Sequence, residues 1–329
     1  MDSRGVSGAQ LKLWAVAVFA ISMLVVGVAW QLVRDRAAEM DAAERSAVQM
    51  ALALEASTSG TLHSAELITH HVATIALANL DAEGLPTGDA VSQWHAILSG
   101  NTFLHAVGFI QPDGIAPLSV MRRRDGSIWT NRDALDLSRW SGFNVDATSP
   151  YITDPRRSDF TGRWLISLTL PLRDAQGSVH GIVYANIAVD TFSDLFSEVL
   201  PDDNSSVTLF RTDGRLLFGD PLVEQTVGES MAHLGLFTKH FANSPTGTYD
   251  AIAPRVGDRR VLSYRKIAGW PLLLTVDFPF SEILAAWNQR AVFYVLAALT
   301  ASTVILTLTV WLSLQFRRDG ANRRTLLLR

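Results

Sequence analysis

The chain contains no cysteine among its 329 residues. Disulfides and thiolate metal sites are thereby excluded, so any exported part must be stabilised by its own apolar core. Catalytic motifs are equally missing: no G-x-S-x-G, H-E-x-x-H or G-x-x-x-x-G-K-[ST] occurs, and no catalytic residue or enzyme activity is expected. A basic excess is absent too. The net charge of −4 and pI near 6.1 give no reason to expect a nucleic-acid partner. The eight histidines do not compose a metal site. His70 and His71 are adjacent and point about 100° apart on a helix, while His63 and His70 share a face two turns apart. No metal and no cofactor is expected.

What the chain does have is two uncharged apolar runs, residues 13–33 and 291–316. Each exceeds the roughly 20 residues that a helix needs to cross a hydrocarbon core. Two spans put both termini on one side. Arg317, Arg318, Arg323, Arg324 and Arg329 face a single acid, Asp319, after the second run, and Arg4 and Lys12 precede the first. Basic flanks stay in the cytoplasm, so the expectation is a two-pass protein of the inner membrane with both termini cytoplasmic and the middle segment periplasmic. Arg34 and Arg36 oppose this reading, but Asp35 and Glu39 follow at once. A cleavable secretory signal is the alternative for the first run. Its apolar stretch is longer than a signal core, and no A-x-A-like site follows Ala29-Trp30-Gln31.

From Arg34 to about Leu80 there is no proline and a single glycine, Gly60. Met40, Ala43, Ala47, Met50, Leu54, Ser57, Thr61, Ser64, Ile68, His71, Ile75 and Ala78 alternate in steps of three and four, which keeps one stripe on one side of a long helix. Two uses of the stripe are open: a helix laid across a domain, or a stalk that pairs with a second copy as a homodimer. After Gly84 the pattern turns to β-rich runs divided by Pro112-Asp113-Gly114, Asp125-Gly126 and Gln176-Gly177, which are hairpin signals. Residues 192–200 read as a short helix stopped by Pro201. A second set begins near Ser206, with a hairpin at Thr212-Asp213-Gly214, a helix over 229–241 and strands over 247–253, 260–267 and 271–278. Phe109-Ile110-Gln111-Pro112-Asp113-Gly114 matches Leu209-Phe210-Arg211-Thr212-Asp213-Gly214 at an offset of 100 residues. The organisation is a tandem of two related α+β modules behind one long helix.

The stretch Thr161-Gly162-Arg163-Trp164-Leu165-Ile166-Ser167-Leu168, with Pro171-Leu172, Gly177 and Gly181-Ile182-Val183 after it, resembles the double Cache (PDC) sensor domains of bacteria. Asp190-Thr191-Phe192, Arg211-Thr212-Asp213-Gly214-Arg215, Gly269-Trp270-Pro271-Leu272 and residues 281–287 continue the match. It looks most like the variant in front of diguanylate cyclases and histidine kinases. The fold class implied is α+β, tandem PAS-like modules behind a long N-terminal stalk helix, flanked by two transmembrane helices. The expected layout is a cytoplasmic N-terminus (1–12), a first span (13–33), the stalk (34–80), a membrane-distal module (81–200), a membrane-proximal module (201–288), a second span (291–316) and a basic tail (317–329). The resemblance implies a small ligand in the distal module and a signal relayed to a cytoplasmic output domain. The 13-residue tail carries no such domain, so the expectation divides between signalling through a separate output protein and a truncated receptor.

Alternation on the strand after Gly181 puts Tyr184, Asn186 and Ala188 on one face and Val183, Ala185 and Ile187 on the other. Tyr184 and Asn186 need polar partners there. In relatives that bind amino acids, the position matching Asn186 is an aspartate gripping an ammonium group, and asparagine removes that charge. Arg139 beside Trp140 suits a carboxylate, the ring packing on the ligand's apolar part; a surface arginine covering a core tryptophan is the plainer alternative. Tyr151 and Asp154 lie where the family places pocket residues, or else form a capped turn before Pro155. Trp164 is expected in the core, and Arg122-Arg123-Arg124 as a solvated loop. The expected ligand is a small polar solute, an organic anion in particular. The alternative reading is a membrane-anchored, non-signalling scaffold with a degenerate Cache fold.

Overall fold

The computed structural model describes residues 8–138, 140, 146–147, 150–197, 204–220, 226–253 and 257–326. They fall into two compact units, one made by the chain up to Ala43 with the part from Pro279 onward, the other by Glu44–Phe278.

In the first unit, helix α1 (Gly8–Ala78) begins and helices α4 (Phe280–Ile283) and α5 (Ala285–Leu326) follow. The stretches Gln10–Ala78 and Ala285–Phe316 contain apolar windows long enough to cross a membrane. Their large side chains, among them Val18, Phe19, Phe293 and Leu299, are exposed. Three polar contacts join the two helices. Gln10 Nε2 donates to the Ser313 carbonyl at 3.2 Å, the Trp287 indole donates to the Leu32 carbonyl at 3.0 Å, and Arg290 pairs with Glu39.

The second unit holds the remainder of α1, helix α2 (Gly88–Gly100) and two antiparallel sheets. In the first sheet β4 (Ile128–Asn131), β3 (Leu118–Arg122), β1 (Leu104–Ile110), β9 (Val179–Ala188), β8 (Trp164–Arg173) and β6 (Tyr151–Ile152) lie in that order, and β7 (Arg156–Arg157) also pairs with β8. A two-stranded pair, β2 (Ile115–Ala116) with β5 (Leu135–Asp136), stands beside it. Helix α2 covers one face of the sheet through Trp94 and Leu98, both fully buried, and its His95 Nε2 meets Thr130 Oγ1 at 2.8 Å. Helix α3 (Asp190–Ser197) leads to the second sheet, ordered β11 (Leu216–Asp220), β10 (Ser206–Arg211), β14 (Leu272–Pro279), β13 (Arg259–Lys266) and β12 (Thr246–Ile252). All eight residues of β14 are buried. Each large apolar side chain so buried contributes roughly 1.5–3 kcal/mol.

The two sheets repeat one device. Gly114 and Gly214 take φ values of +88° and +90°, and their N–H groups donate to Gln111 and Arg211 at 2.9 and 2.8 Å. A Cβ on Gly114 would stand 2.5 Å from the Ser138 Cα, and one on Gly214 would stand 2.6 Å from the Ala232 Cα. Only glycine permits both the left-handed backbone and this approach.

Three sequence expectations change. The helix expected over 229–241 shrinks to a π-helical turn, Leu236–Phe241. Before it the backbone is drawn to the β10–β11 hairpin instead: Leu216 donates to Glu229, Gly228 to Leu216 and Met231 to Gly214. The buried stripe of α1 runs through Ala47, Ala51, Leu54, Thr58, Leu62, Ala65, Thr69, Val72 and Ala76. From Thr58 to Thr69 it lies one position beside the expected stripe, leaving Ser57 and Thr61 half-buried and Ser64 exposed, while Ile75 of the expected stripe is buried. Of the arginines at 122–124, Arg122 ends β3 and is half-buried, whereas Arg123 and Arg124 stand exposed in the turn after it. Arg122 donates to the Leu98 carbonyl at 2.5 Å, Arg124 to the Thr161 carbonyl at 2.6 and 2.8 Å, and the Arg123 guanidinium covers the Trp129 ring at 4.9 Å.

Candidate functional site

Residues paired across an antiparallel ladder share a face. Asn131 pairs with Ser119, Ser119 with Gly108, Gly108 with Tyr184, Tyr184 with Thr169 and Thr169 with Tyr151. One step along, Ala106 pairs with Asn186 and Asn186 with Ser167. The face away from α2 is therefore lined by hydroxyls, amides and phenols, in a sheet whose other face carries Val107, Phe109, Val183, Ala185 and Leu168. Each buried polar group costs free energy unless it is paired, and in this row Asn131 donates to the Asp133 carbonyl at 3.1 Å and Thr169 to the Tyr151 carbonyl at 3.5 Å.

Asn186 is 6 % exposed, and its Oδ1 accepts from Ser167 Oγ at 2.6 Å. Tyr184 packs with Ile110, Ala116, Leu137 and Ile182. Burial pushes its phenol up, while Ser119 and the Arg156 guanidinium pull it down. Gly108 faces it: a Cβ there would lie 2.4 Å from the Tyr184 hydroxyl oxygen. The Trp140 ring meets Tyr184 edge-on with centroids 6.3 Å apart, and its Nε1 is buried without a partner.

Of the residues singled out from the sequence, Trp140, Tyr184 and Asn186 come together on this face. Arg139 lies outside the described residues. Tyr151 stands at the edge of the same face, and both it and Asp154 meet the second sheet. Arg211 on β10 donates to Asp154 Oδ1 at 2.6 Å and to the Tyr151 hydroxyl at 3.4 Å, and Arg215 Nε stands 3.1 Å from the same carboxylate. Asp154 thus forms an ion bridge between sheets rather than a turn cap. Trp164 is half-buried, with its indole N–H unpartnered. Sequence reasoning passed over Arg156, Ser167 and Arg211. Pro155 before Arg156, the mark of a short edge strand, was the available signal for the first.

Two further features adjoin the sheet. His105 is 2 % exposed and meets Thr161 Oγ1 at 3.3 Å, and burial, then the Arg163 charge, pulls its imidazole down to about 4. A cavity of about 370 Å³ is lined by Ser57, Gly60, Thr61, Ser64, Phe103, Thr191 and Phe192. On the second sheet Thr208 pairs with Thr275 on the same face as Phe210 and Leu273. Phe210, Leu216, Leu236, Tyr264 and Leu273 close its inner face, with Phe237, Phe241 and Tyr249 packed on them. Its polar end is closed by Asp277, whose oxygens accept from Arg260 at 2.5 Å and Ser206 at 2.6 Å. Among the described residues no group of three or more side chains could hold a metal ion.

The fold has solved counterparts. The extracellular domain assigned to histidine kinase rpHK1S-Z16 superposes with a TM-score of 0.63 at 23 % identity, covering 75 % of this chain and 99 % of that one. The isoleucine-bound sensory domain of chemoreceptor Tlp3 from Campylobacter jejuni gives 0.51 at 9 % identity, covering 75 % and 97 %. A domain of a sensory box/GGDEF family protein from Vibrio parahaemolyticus gives 0.56 at 12 %, covering 74 % and 99 %. A search of curated proteins found no match. A profile of the Cache domain matches residues 36–287, well over half of the chain, which therefore belongs to the Cache domain family.

Proposed function

We propose that this protein is a two-pass receptor of the bacterial inner membrane, its Cache domain periplasmic and both termini cytoplasmic, that binds a small polar solute on the first sheet. Cache domains are sensory, non-catalytic modules. The observation that carries the reading is the polar row through Ser119, Tyr184, Asn186, Ser167 and Thr169 in the interior of an otherwise apolar sheet. Ligand sites combine an apolar wall with a few placed polar groups, as this face does. The exposed apolar lengths of α1 and α5 support the membrane spans, since such surfaces are stable only in lipid. Binding would move α1 or the second sheet between two arrangements, and the spans of a homodimer would carry the change to a separate cytoplasmic output protein.

The test is a thermal-shift screen of the detergent-solubilised full chain against carboxylates, amines and amino acids. A ligand of the folded state raises the melting temperature with the logarithm of its concentration. Loss of that shift in Asn186→Ala supports the site. No shift from any class would leave the chain as a scaffold with a degenerate Cache fold.

A further inference from the structure

Arg156 stands on the polar face. It pairs with Leu165 across β7 and β8, and Leu165 pairs with Ala188, one step beyond Asn186 on the same side of β9. Its guanidinium lies 6.0 Å over the Trp140 ring, and the same ring touches Tyr184. Among the described residues no carboxylate pairs with it. An arginine held against an aromatic ring, half-buried and without a counter-ion, keeps its donor fork available to a ligand.

Two further groups on this face donate. Because Asn186 Oδ1 already accepts from Ser167 Oγ, the amide presents its two N–H bonds outward. The Trp140 indole N–H is buried and unpartnered. The acids that could have held an ammonium group are consumed elsewhere. Asp154 is bound by Arg211 and Arg215, and Asp190 by Arg163 through Oδ2 at 2.6 Å, its Oδ1 being buried without a partner. Among the described residues the face offers one cation and several N–H donors, and the carboxylates of Asp154 and Asp190 each have an arginine partner.

We propose that Arg156 grips the ligand's carboxylate and that the ligand is a small organic acid without an ammonium group, its apolar part against Trp140 and Tyr184 and its second oxygen within reach of the Asn186 amide. This rests on the reading of the first sheet as the ligand site. The charge-assisted fork supplies affinity, and the arginine pairing of Asp154 and Asp190, which leaves an ammonium group no unpaired carboxylate among the described residues, supplies the selectivity against amino acids.

The experiment uses the full chain in nanodiscs and isothermal titration with acetate, propionate, pyruvate and succinate, against glycine, alanine and propionamide. The expected result is heat and a thermal shift from at least one carboxylate, with none from its amide or amino-acid counterpart. Arg156→Gln should weaken that carboxylate by roughly 10- to 100-fold, the range of a lost charge-assisted pair, and Arg156→Lys by less. Both variants are to melt within a degree or two of the parent without ligand; if Arg156→Gln does not, the Arg156→Lys affinity decides. Carboxylate binding that Arg156→Gln leaves intact but Asn186→Ala abolishes overturns the arginine assignment and leaves the site. Tighter binding of alanine than of propionate overturns the ligand class. Silence of the whole panel, together with silence toward amines, overturns the site itself.

Discussion

Arg211 and Asp154 form an ion pair of 2.6 Å across the boundary between the two sheets of the folded domain. Arg211 is only 14 % exposed and holds Asp213 with its other arm at 2.5 Å. One guanidinium therefore ties the β10–β11 hairpin to the loop after β6. Arg211→Ala should destabilise the domain by about 1–3 kcal/mol in urea unfolding, the range for a partly buried charged hydrogen bond. Arg211→Lys should recover only part, because an ammonium group cannot hold two carboxylates in fixed planes. Equal stability of the parent and Arg211→Ala would remove the bridge from the account.

The same arginine sets the acid behaviour of Asp213. Its hydrogen bond holds the Asp213 carboxyl below the usual carboxylate range. A lowered value in the folded state gives stability that is complete above about pH 4 and is lost as pH falls through the folded value. In Arg211→Ala the Asp213 carboxyl should titrate nearer its ordinary value, read by carbon-detected NMR titration.

His105 predicts a second pH dependence of the opposite chemical kind. The folded imidazole stays neutral down to about 4, whereas the unfolded one takes a proton near 6.5. Stability should be complete above about pH 6.5 and decline toward pH 4, by up to roughly 3 kcal/mol from this residue. His105→Gln keeps a polar partner for Thr161 without titrating. It should flatten the slope of the melting temperature against pH between 4 and 6.5. An unchanged slope would assign the effect to other groups.

Gly114→Ala and Gly214→Ala should each cost more than about 2 kcal/mol, since strain at positive φ adds to a backbone clash. Gly177→Ala is the control. Its φ is +87°, yet a Cβ there meets nothing within 4 Å. It should cost only about 1 kcal/mol. Chemical denaturation of the three variants separates strain from collision.

Gly60 faces the cavity on α1, with nothing within 4 Å of a Cβ. Gly60→Ala should stabilise the domain by about 0.5–1 kcal/mol through helix propensity alone. A destabilised variant would mean that the space has an occupant.

The parts of this molecule that were legible in the sequence are those written locally. Turn glycines at 114, 177 and 214, alternation through Tyr184 and Asn186, and the long proline-free run before Leu80 each state their own geometry. The π-helical turn was not legible, because hydrogen bonds from Leu216, Gly228 and Met231, up to 17 positions from Gly214, decide where the helix can start. Arg156 was not legible either. Its importance comes from two ladder pairings and from the ring of Trp140, which stands 16 residues away in the chain. Nor does any motif announce that Asp154 serves Arg211, since ion pairs between modules leave no spacing rule behind.

The aromatic packing under the second sheet has a mechanical meaning. A close-packed interior is nearly incompressible, and Phe210 and Tyr264 are buried there with Phe237, Phe241 and Tyr249 half-buried against them. The β10–β11 hairpin, paired along β14 from Ser206 to Arg211, would then move with β14 as one block, like a gear tooth that cannot bend.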